Sequence, residues 1–170
     1  MNTRRLRDIE VSPIGMGCMG MSHGYGEIPD TDYSINAIRK AYQFGCTFFD
    51  TAEGYAPNRL PENRGHNEKI LGEAVREYRK NVVLATKLHI VTNEVTEKGL
   101  ETVMREHLTA SLHRLQTDYV DLYYLHRINP AIPVEDVAEV MGKLVADGLI
   151  RGWGLSQVDV DIIDRANKVT

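Results

Sequence analysis

Four side chains that can donate, accept or hold a proton stand at or just beyond the ends of short apolar runs. The runs cover 47–49, 82–86 and 120–125, and each is typical of a buried β-strand. Parallel strands of an α/β barrel present their chemistry at their carboxyl ends, so we expect these side chains to share one face of the sheet. The four residues are Asp50, Tyr55, Lys87 and His126.

Together, these residue types form a set suited to proton transfer. A buried lysine needs an anionic partner, which Asp50 can supply. An ammonium group beside Tyr55 stabilises the phenolate, so the tyrosine can act as a general acid. His126 can hold a carbonyl oxygen in place. Taken singly, Asp50 fits a turn, Tyr55 fits packing and His126 fits a satisfied core histidine; the set as a whole favours catalysis.

Amphipathic segments alternate with the strands, and this alternation predicts βα units with a parallel sheet and right-handed crossovers. A further strand is predicted at 150–155, and the glycine-rich segment 11–21 is predicted to hold the first strand and its loop. Residues 1–12 are expected to form a hairpin or a lid. Helices are predicted over 31–44, with Thr31 or Asp32 as N-cap, over 67–78, over 96–115, from near Pro133 to Gly148, and over 160–168.

The composition indicates one ordinary globular core and excludes several partners. The 170 residues are 42% hydrophobic and carry a net charge of −4, without a basic stripe for nucleic acid. Apolar runs are strand-sized, so no membrane span is expected, and no apolar run follows the basic N-terminus as in a secretory signal. Cys18 and Cys46 are interpreted as thiols in a reducing compartment, so the predicted location is cytoplasmic.

Metal and phosphate sites are not predicted. Gly15, Gly17 and Gly20 match the spacing of a dinucleotide fingerprint, but the residues that follow do not open a helix. His89 is predicted to lie on a loop surface, and Ser156 could cap the helix that follows it. The other histidines lack metal-ligand spacing; they are His23, His66, His107 and His113.

Several segments resemble the signatures of the aldo-keto reductase family, and the resemblance covers essentially the whole chain. The tyrosine, lysine and histidine fall where that family keeps its catalytic elements. The segments that carry the resemblance are Gly15-Met16-Gly17-Cys18-Met19-Gly20-Met21-Ser22, Gly45-Cys46-Thr47-Phe48-Phe49-Asp50-Thr51-Ala52, Asn67-Glu68-Lys69-Ile70-Leu71-Gly72 and Gly152-Trp153-Gly154-Leu155-Ser156.

The resemblance implies an α/β fold of the (β/α)8 TIM-barrel type. The chain is about half the family's length and holds about five βα units, so it is expected to form a partial barrel in a single domain over 1–170. The family's nicotinamide-stacking aromatic and pyrophosphate loop come from later strands. We therefore expect a piece of a longer enzyme, a sheet closed against another copy through its open edge, or a half-barrel that no longer turns over.

The implied activity is reduction of an aldehyde or ketone by hydride transfer from NADPH. Tyr55 would protonate the carbonyl oxygen, Lys87 would favour its phenolate, Asp50 would hold Lys87, and His126 would orient the small-molecule carbonyl substrate. The residues implied to bind the cofactor are Gly17, Cys18, Met19, Asp50, Ser156 and Gln157.

Two other functions stay open from the sequence. One is a non-catalytic binding or regulatory protein on the same scaffold. The other is a different (β/α) barrel enzyme, which would need a phosphate site near its last strands. The polar loop 56–66, with its two prolines, is longer than the family usually has and could shape a substrate pocket or be variable surface.

Overall fold

The computed structural model describes residues 2–58 and 60–169, so Arg59 of the 56–66 loop lies outside the described residues. Strands β1 (Arg4–Leu6) and β2 (Ile9–Val11) pair as an antiparallel hairpin. The sequence is compatible with either a hairpin or a lid in this segment, and the structure has the hairpin. Its reversal passes through Arg7, which takes a left-handed backbone conformation with φ 55°.

A parallel sheet of five strands carries the rest of the chain. The strands lie side by side in chain order, and each is followed by at least one helix, as in successive units of an α/β barrel. The partial barrel predicted from the sequence is therefore the observed architecture. The strands are β3 (Met16–Gly17), β4 (Phe48–Asp50), β5 (Val83–Leu88), β6 (Val120–Leu125) and β7 (Ile150–Leu155).

Within residues 2–58 and 60–169, six α-helices cover the outer face of this sheet. Fully buried side chains such as Leu84, Tyr123 and Met104 belong to the core between the strands and the helices. Short 3₁₀ helices cover Met19–Met21, Pro61–Asn63 and Arg76–Asn81. The α-helices are α1 (Thr31–Gln43), α2 (His66–Val75), α3 (Thr92–Lys98), α4 (Leu100–Leu115), α5 (Val134–Ala146) and α6 (Val160–Asn167).

The inner face of the sheet has a smaller core of its own. Ile9 and Val11 of the hairpin pack with Val83, Ala85 and Leu122 from the amino-terminal halves of β5 and β6. The hairpin therefore covers the amino end of the sheet. Because the hairpin covers the amino end, we expect a site on this sheet to lie at the carboxyl ends of its strands.

The amino end also holds a buried carboxylate, that of Asp121 on β6. Its Oδ2 accepts hydrogen bonds from the backbone N–H of Leu84 at 2.9 Å and from Arg79 at 3.0 Å. Its Oδ1 accepts from Arg151 on β7 at 2.9 Å. Asp121 thus ties three neighbouring strands together, and these donors offset the cost of burying its charge.

The first barrel strand is shorter than the 11–21 segment predicted from the sequence. Only Met16 and Gly17 pair with β4, while Val11 belongs to the hairpin. Between them Pro13 has no backbone N–H for a ladder. The side chains of Ser12 and Thr47 substitute, because each hydroxyl oxygen accepts a hydrogen bond from the other residue's backbone N–H at 2.9 Å.

The helix predicted over 96–115 is wrong as a single element. Gly99 separates α3 from α4, with φ 82° and ψ 150°, a conformation that glycine adopts far more readily than other residues. The Gly99 N–H caps the Val95 carbonyl of α3 at 2.8 Å, and its carbonyl accepts from Val103 of α4 at 3.1 Å. The same residue therefore ends one helix and starts the next.

Two other helix boundaries differ from the prediction. Helix α1 is capped by Asp30 rather than by Thr31 or Asp32, because the Asp30 carboxylate accepts from the backbone N–H of residues 32 and 33. Helix α2 ends at Val75 and continues as a 3₁₀ helix, in which Tyr78 leaves helical geometry. The Tyr78 ring stacks on Tyr42 of α1 with 3.9 Å between ring centroids, so tertiary packing accompanies the change.

Candidate active site

The carboxyl end of the sheet brings the four predicted residues together. Asp50 is the last residue of β4 and His126 directly follows β6. Lys87 lies inside β5, which continues to Leu88, so the lysine is one residue before the strand end rather than beyond it. Tyr55 is delivered by the loop after β4, with its backbone carbonyl accepting from the N–H of Asn67 in α2 at 3.2 Å.

Lys87 is the centre of the arrangement. Its side chain is only 10% exposed, and its ammonium donates to Asp50 Oδ1 at 2.6 Å and to the Thr51 carbonyl at 2.7 Å. The third partner is the Tyr55 hydroxyl, at 3.1 Å. An ammonium group has three protons, so the three acceptors satisfy it completely.

The Tyr55 hydroxyl oxygen accepts from Lys87, so its own proton can point elsewhere. The ring is partly buried between two imidazoles, with His23 tilted and His126 edge-on, each at 5.5 Å between centroids. The Lys87 ammonium also lies 4.8 Å from the Tyr55 ring centroid. The phenol is therefore fixed in place and bonded to a cation through its oxygen.

His126 is held in its neutral form. Burial lowers the pKa of its imidazole to about 4, and the neighbouring His89, Lys87 and Arg127 add to this effect. Its Nδ1 is buried and has no hydrogen-bond partner among the described residues. A neutral imidazole carries one N–H, which it can donate to an oxygen of a ligand.

His89 lies on the loop after β5, as predicted, but the prediction that it lies at the surface is wrong. Its ring lies 4.4 Å from that of His126, between centroids, and is partly buried. Burial lowers the pKa of His89, whereas the nearby Glu53 carboxylate raises it. No signal in the sequence indicated the influence of Glu53 on His89, since it depends on where the Glu53 side chain lies in three dimensions.

The segment Gly17-Cys18-Met19 follows β3 at the same end of the sheet. Cys18 lies beneath the surface, where burial raises the pKa of its thiol to about 12. Its backbone N–H donates to the Asp50 carbonyl at 2.8 Å and its carbonyl accepts from Asn67 at 2.8 Å. Gly17 and Met19 are the more exposed members, and no atom lies within 4 Å of where a Gly17 Cβ would stand.

A buried network missed by the sequence reasoning holds that segment against the Tyr55 loop. Asn67 donates to Ser22 Oγ at 2.7 Å, and its Oδ1 accepts from Thr51 Oγ1 at 2.6 Å. Ser22 also contacts His66 Nδ1 at 2.9 Å.

Segment Met19–Met21 is a single 3₁₀ turn and the next helix starts only at Thr31, so Gly15, Gly17 and Gly20 do not open a dinucleotide-binding helix.

Ser156 and Gln157 directly follow β7. The Ser156 backbone N–H donates to the Leu125 carbonyl at 3.0 Å, and its hydroxyl oxygen accepts from Arg127 at 3.2 Å. Gln157 is exposed and has a left-handed backbone with φ 59°. Ser156 is not the N-cap of the next helix, because Asp159 accepts from Ile162 in that role.

Ser156 can also donate a hydrogen bond to a ligand at this end of the sheet. Since the Ser156 oxygen already accepts from Arg127, its hydroxyl proton is free to donate to an amide oxygen.

Among the described residues no cluster of three or more His, Cys, Asp or Glu side chains is placed to hold a metal ion. In that part of the chain, too, no helix combines the length and apolarity of a membrane span.

Comparison with known proteins agrees with this architecture. The Aldo/keto reductase family matches residues 13–170. The chain is 38% identical over 160 residues to the aldo-keto reductase YhdN of Bacillus subtilis, covering 92% of this chain and 46% of that protein. It is 34% identical over 164 residues to the probable aldo-keto reductase 1 of Glycine max, covering 94% and 45%.

A solved structure shares the fold as well. The aldo/keto reductase from Klebsiella pneumoniae, in complex with NADP and acetate, superposes with a TM-score of 0.74 and 34% identity, over 92% of this chain and 49% of that chain. The chain thus spans about half the length of the relatives it matches. The family match, the parallel α/β sheet and the shared fold lead to one conclusion: this chain belongs to the aldo/keto reductase family.

Proposed function

We propose that this chain provides the catalytic residues of an NADPH-dependent reductase of aldehydes or ketones, with Tyr55 as the general acid. The observation that carries the proposal is the hydrogen bond from Lys87 Nζ to the Tyr55 hydroxyl at 3.1 Å. The same ammonium group also donates to Asp50 at 2.6 Å. Because the phenol oxygen is occupied as an acceptor, its proton is directed away from Lys87 and towards a substrate.

The proton transfer follows from these contacts. A carbonyl oxygen becomes more basic as its carbon is reduced, and Tyr55 donates its proton to that oxygen. The phenolate that remains lies against the Lys87 ammonium, which lowers its free energy. Asp50 keeps the ammonium charged and oriented. The reduced aldehyde or ketone then leaves as an alcohol, and solvent returns a proton to Tyr55.

His126 acts as a neutral donor in this proposal. Its low pKa, about 4, keeps the imidazole uncharged at neutral pH. A neutral imidazole can hold the carbonyl oxygen near Tyr55 without adding a second cation beside Lys87. Burial and the nearby positive charges therefore match His126 to orienting rather than to donating the catalytic proton.

NADPH is the proposed cofactor, and when bound it supplies the hydride for the carbonyl carbon. Ser156 would donate to the carboxamide oxygen, with Gln157 beside it. Gly17, Met19 and Asp50 would line the same end of the sheet, while Cys18 would support this surface from below. The Klebsiella pneumoniae reductase bound to NADP supports a nicotinamide cofactor in the family.

The test is NADPH oxidation by the purified 170-residue chain with a panel of small aldehydes and ketones. We expect turnover in the wild type and a loss of roughly 100- to 10,000-fold in kcat in Tyr55→Phe, the scale of a general acid. Affinity for NADPH should be nearly unchanged, as measured by cofactor fluorescence. Equal turnover in Tyr55→Phe would rule out this role of Tyr55. Saturable NADPH binding without any turnover would instead favour a non-catalytic binding protein.

A further inference from the structure

Glu53 is a buried carboxylate between Asp50 and Tyr55 that the proton transfer itself does not use. It is 1% exposed. Its Oε1 accepts from the His89 backbone N–H at 2.8 Å and from Arg64 at 2.9 Å, and lies 3.1 Å from His107 Nδ1. Burial raises the pKa of Glu53, but His107, Arg64 and the His89 N–H together hold it below its usual range.

The backbone of Glu53 is bonded to the same surroundings. Its N–H donates to the carbonyl of Lys87 at 3.2 Å, and its own carbonyl accepts from Gly65 at 2.8 Å. The side chain and backbone of one residue therefore join the Tyr55 loop to both sides of the β5 end, at Lys87 and His89. The loop is also joined to the start of α2 and, through His107, to α4.

Resting on the function proposed above, we propose that Glu53 is a positioning residue that sets the distance between the Lys87 ammonium and the Tyr55 hydroxyl. Lys87 reaches its partners from a strand, whereas Tyr55 arrives on a loop that has little regular structure. Something must fix the loop against the strand. Glu53 lies two residues before Tyr55, and its backbone N–H donates to the carbonyl of Lys87, the residue that carries the ammonium.

The molecule contains a closely matched control at the other end of the sheet. Asp121, like Glu53, is 1% exposed and accepts one backbone N–H, and it accepts from two arginines where Glu53 accepts from one. The Glu53–Arg64 and Asp121–Arg151 pairs have equal separations of 2.9 Å, and the two arginine side chains are 42% and 41% exposed. The two carboxylates differ in the end of the sheet that they hold and in one further partner, which is the buried Arg79 for Asp121 and His107 for Glu53.

The first comparison sets Glu53→Gln against Asp121→Asn in the intact chain. Both changes remove a buried charge and nearly preserve size. We expect Glu53→Gln to lower kcat by roughly 10- to 100-fold, the effect of a small misplacement of reacting groups, with a smaller change in KM. Asp121→Asn should lower the melting temperature and leave kcat of the folded protein within about 2-fold.

The second comparison uses the arginines, whose exposure makes their loss easier to tolerate. We expect Arg64→Met to lower kcat by about 2- to 5-fold, because a partly exposed ion pair contributes little. Arg151→Met should lower kcat by less than this. These two variants decide the question if either carboxylate variant does not fold.

A structural measurement decides the same question without turnover. Glu53 raises the pKa of His89, so Glu53→Gln should lower the His89 midpoint in an NMR titration, whereas Asp121→Asn should not. Amide hydrogen exchange at Gly65 and Tyr55 should also become faster only in Glu53→Gln.

The outcomes separate this proposal from the proposed function. No carbonyl reduction by the wild type contradicts catalysis by the 170-residue chain itself, and exchange at Gly65 and Tyr55 then decides whether Glu53 fixes the loop. Turnover in the wild type, with kcat in Glu53→Gln falling no further than in Asp121→Asn, overturns the positioning role alone. Unchanged exchange in Glu53→Gln overturns it as well.

Discussion

The two ends of the parallel sheet handle buried polar groups differently. At the amino end, Asp121 is surrounded by donors, and Arg79 bonds to carbonyl oxygens of Val82 and Tyr119 in addition to the carboxylate. At the carboxyl end, His126 Nδ1 is buried without a partner among the described residues, and the Tyr55 hydroxyl keeps a proton to give. The Asp121 carboxylate has donors bonded to both of its oxygens, whereas His126 and Tyr55 have hydrogen-bonding capacity left over.

This difference in hydrogen bonding indicates which end of the sheet can carry chemistry. A buried group with every bond made contributes to stability and has nothing to offer a ligand. A buried group with an unused donor or acceptor costs free energy in the absence of a ligand and can recover it when an oxygen arrives. The fold places the first kind under the hairpin and the second kind where the strands open to solvent.

Lys87→Met should give the largest effect and separate the two ends most clearly. Without the ammonium the Tyr55 phenolate loses its stabilising charge, so we expect kcat to fall by roughly 100- to 10,000-fold. The loss of stability should be smaller than for a substitution at Asp121, because the Asp50 side chain is 36% exposed and can be hydrated. Steady-state kinetics and urea unfolding measure the two quantities. Near-normal turnover would contradict the assigned role.

Asp121→Ala should have the opposite profile. It leaves the buried Arg79 without its carboxylate, and removing one partner of a buried ion pair costs about 3–5 kcal/mol. Urea unfolding monitored by circular dichroism would give the change in free energy. Where the variant remains folded, its kcat should match the wild type. A large loss of kcat with unchanged stability would show that the two ends are not separate in function.

The titration of His126 provides a finer test of the carboxyl end. Its pKa is lowered from 6.5 to about 4, so the folded state binds fewer protons than the unfolded state between these values. The stability from the neutral imidazole is therefore present above pH 6.5 and is lost as the pH falls towards 4. NMR of the imidazole should give a midpoint near 4, and Lys87→Met should raise it. A midpoint near 6.5 would show that His126 is not desolvated.

The sequence predicts much of this fold because its strands are short apolar runs that end in polar residues. Asp50, Lys87 and His126 could be placed at one end of the sheet for that reason. The role of Glu53 could not be predicted, since His107 is distant along the chain and meets it only after α4 packs. His89 was misplaced for the same reason: its surroundings come from the Tyr55 loop.

Local signals explain the remaining differences. Gly99 stands inside a segment with helical periodicity, and only its backbone angles show that it divides two helices. Asp159 and Ser156 are both reasonable caps for α6, and the hydrogen bond to Ile162 distinguishes them. The pattern of apolar residues therefore predicts most of the strands and helices, whereas their limits, and the division of one predicted helix into two, depend on individual backbone conformations.

The pairing of Tyr124 with Gly154 limits which side chains these two positions of the sheet can carry. These residues are direct neighbours on β6 and β7, and a Cβ on Gly154 would lie 2.5 Å from the Tyr124 ring. Burial, and after it the Asp50 charge, raises the pKa of Tyr124. Because of the close approach of that Cβ, position 154 can take a larger residue only if the Tyr124 ring moves or is replaced by a smaller side chain.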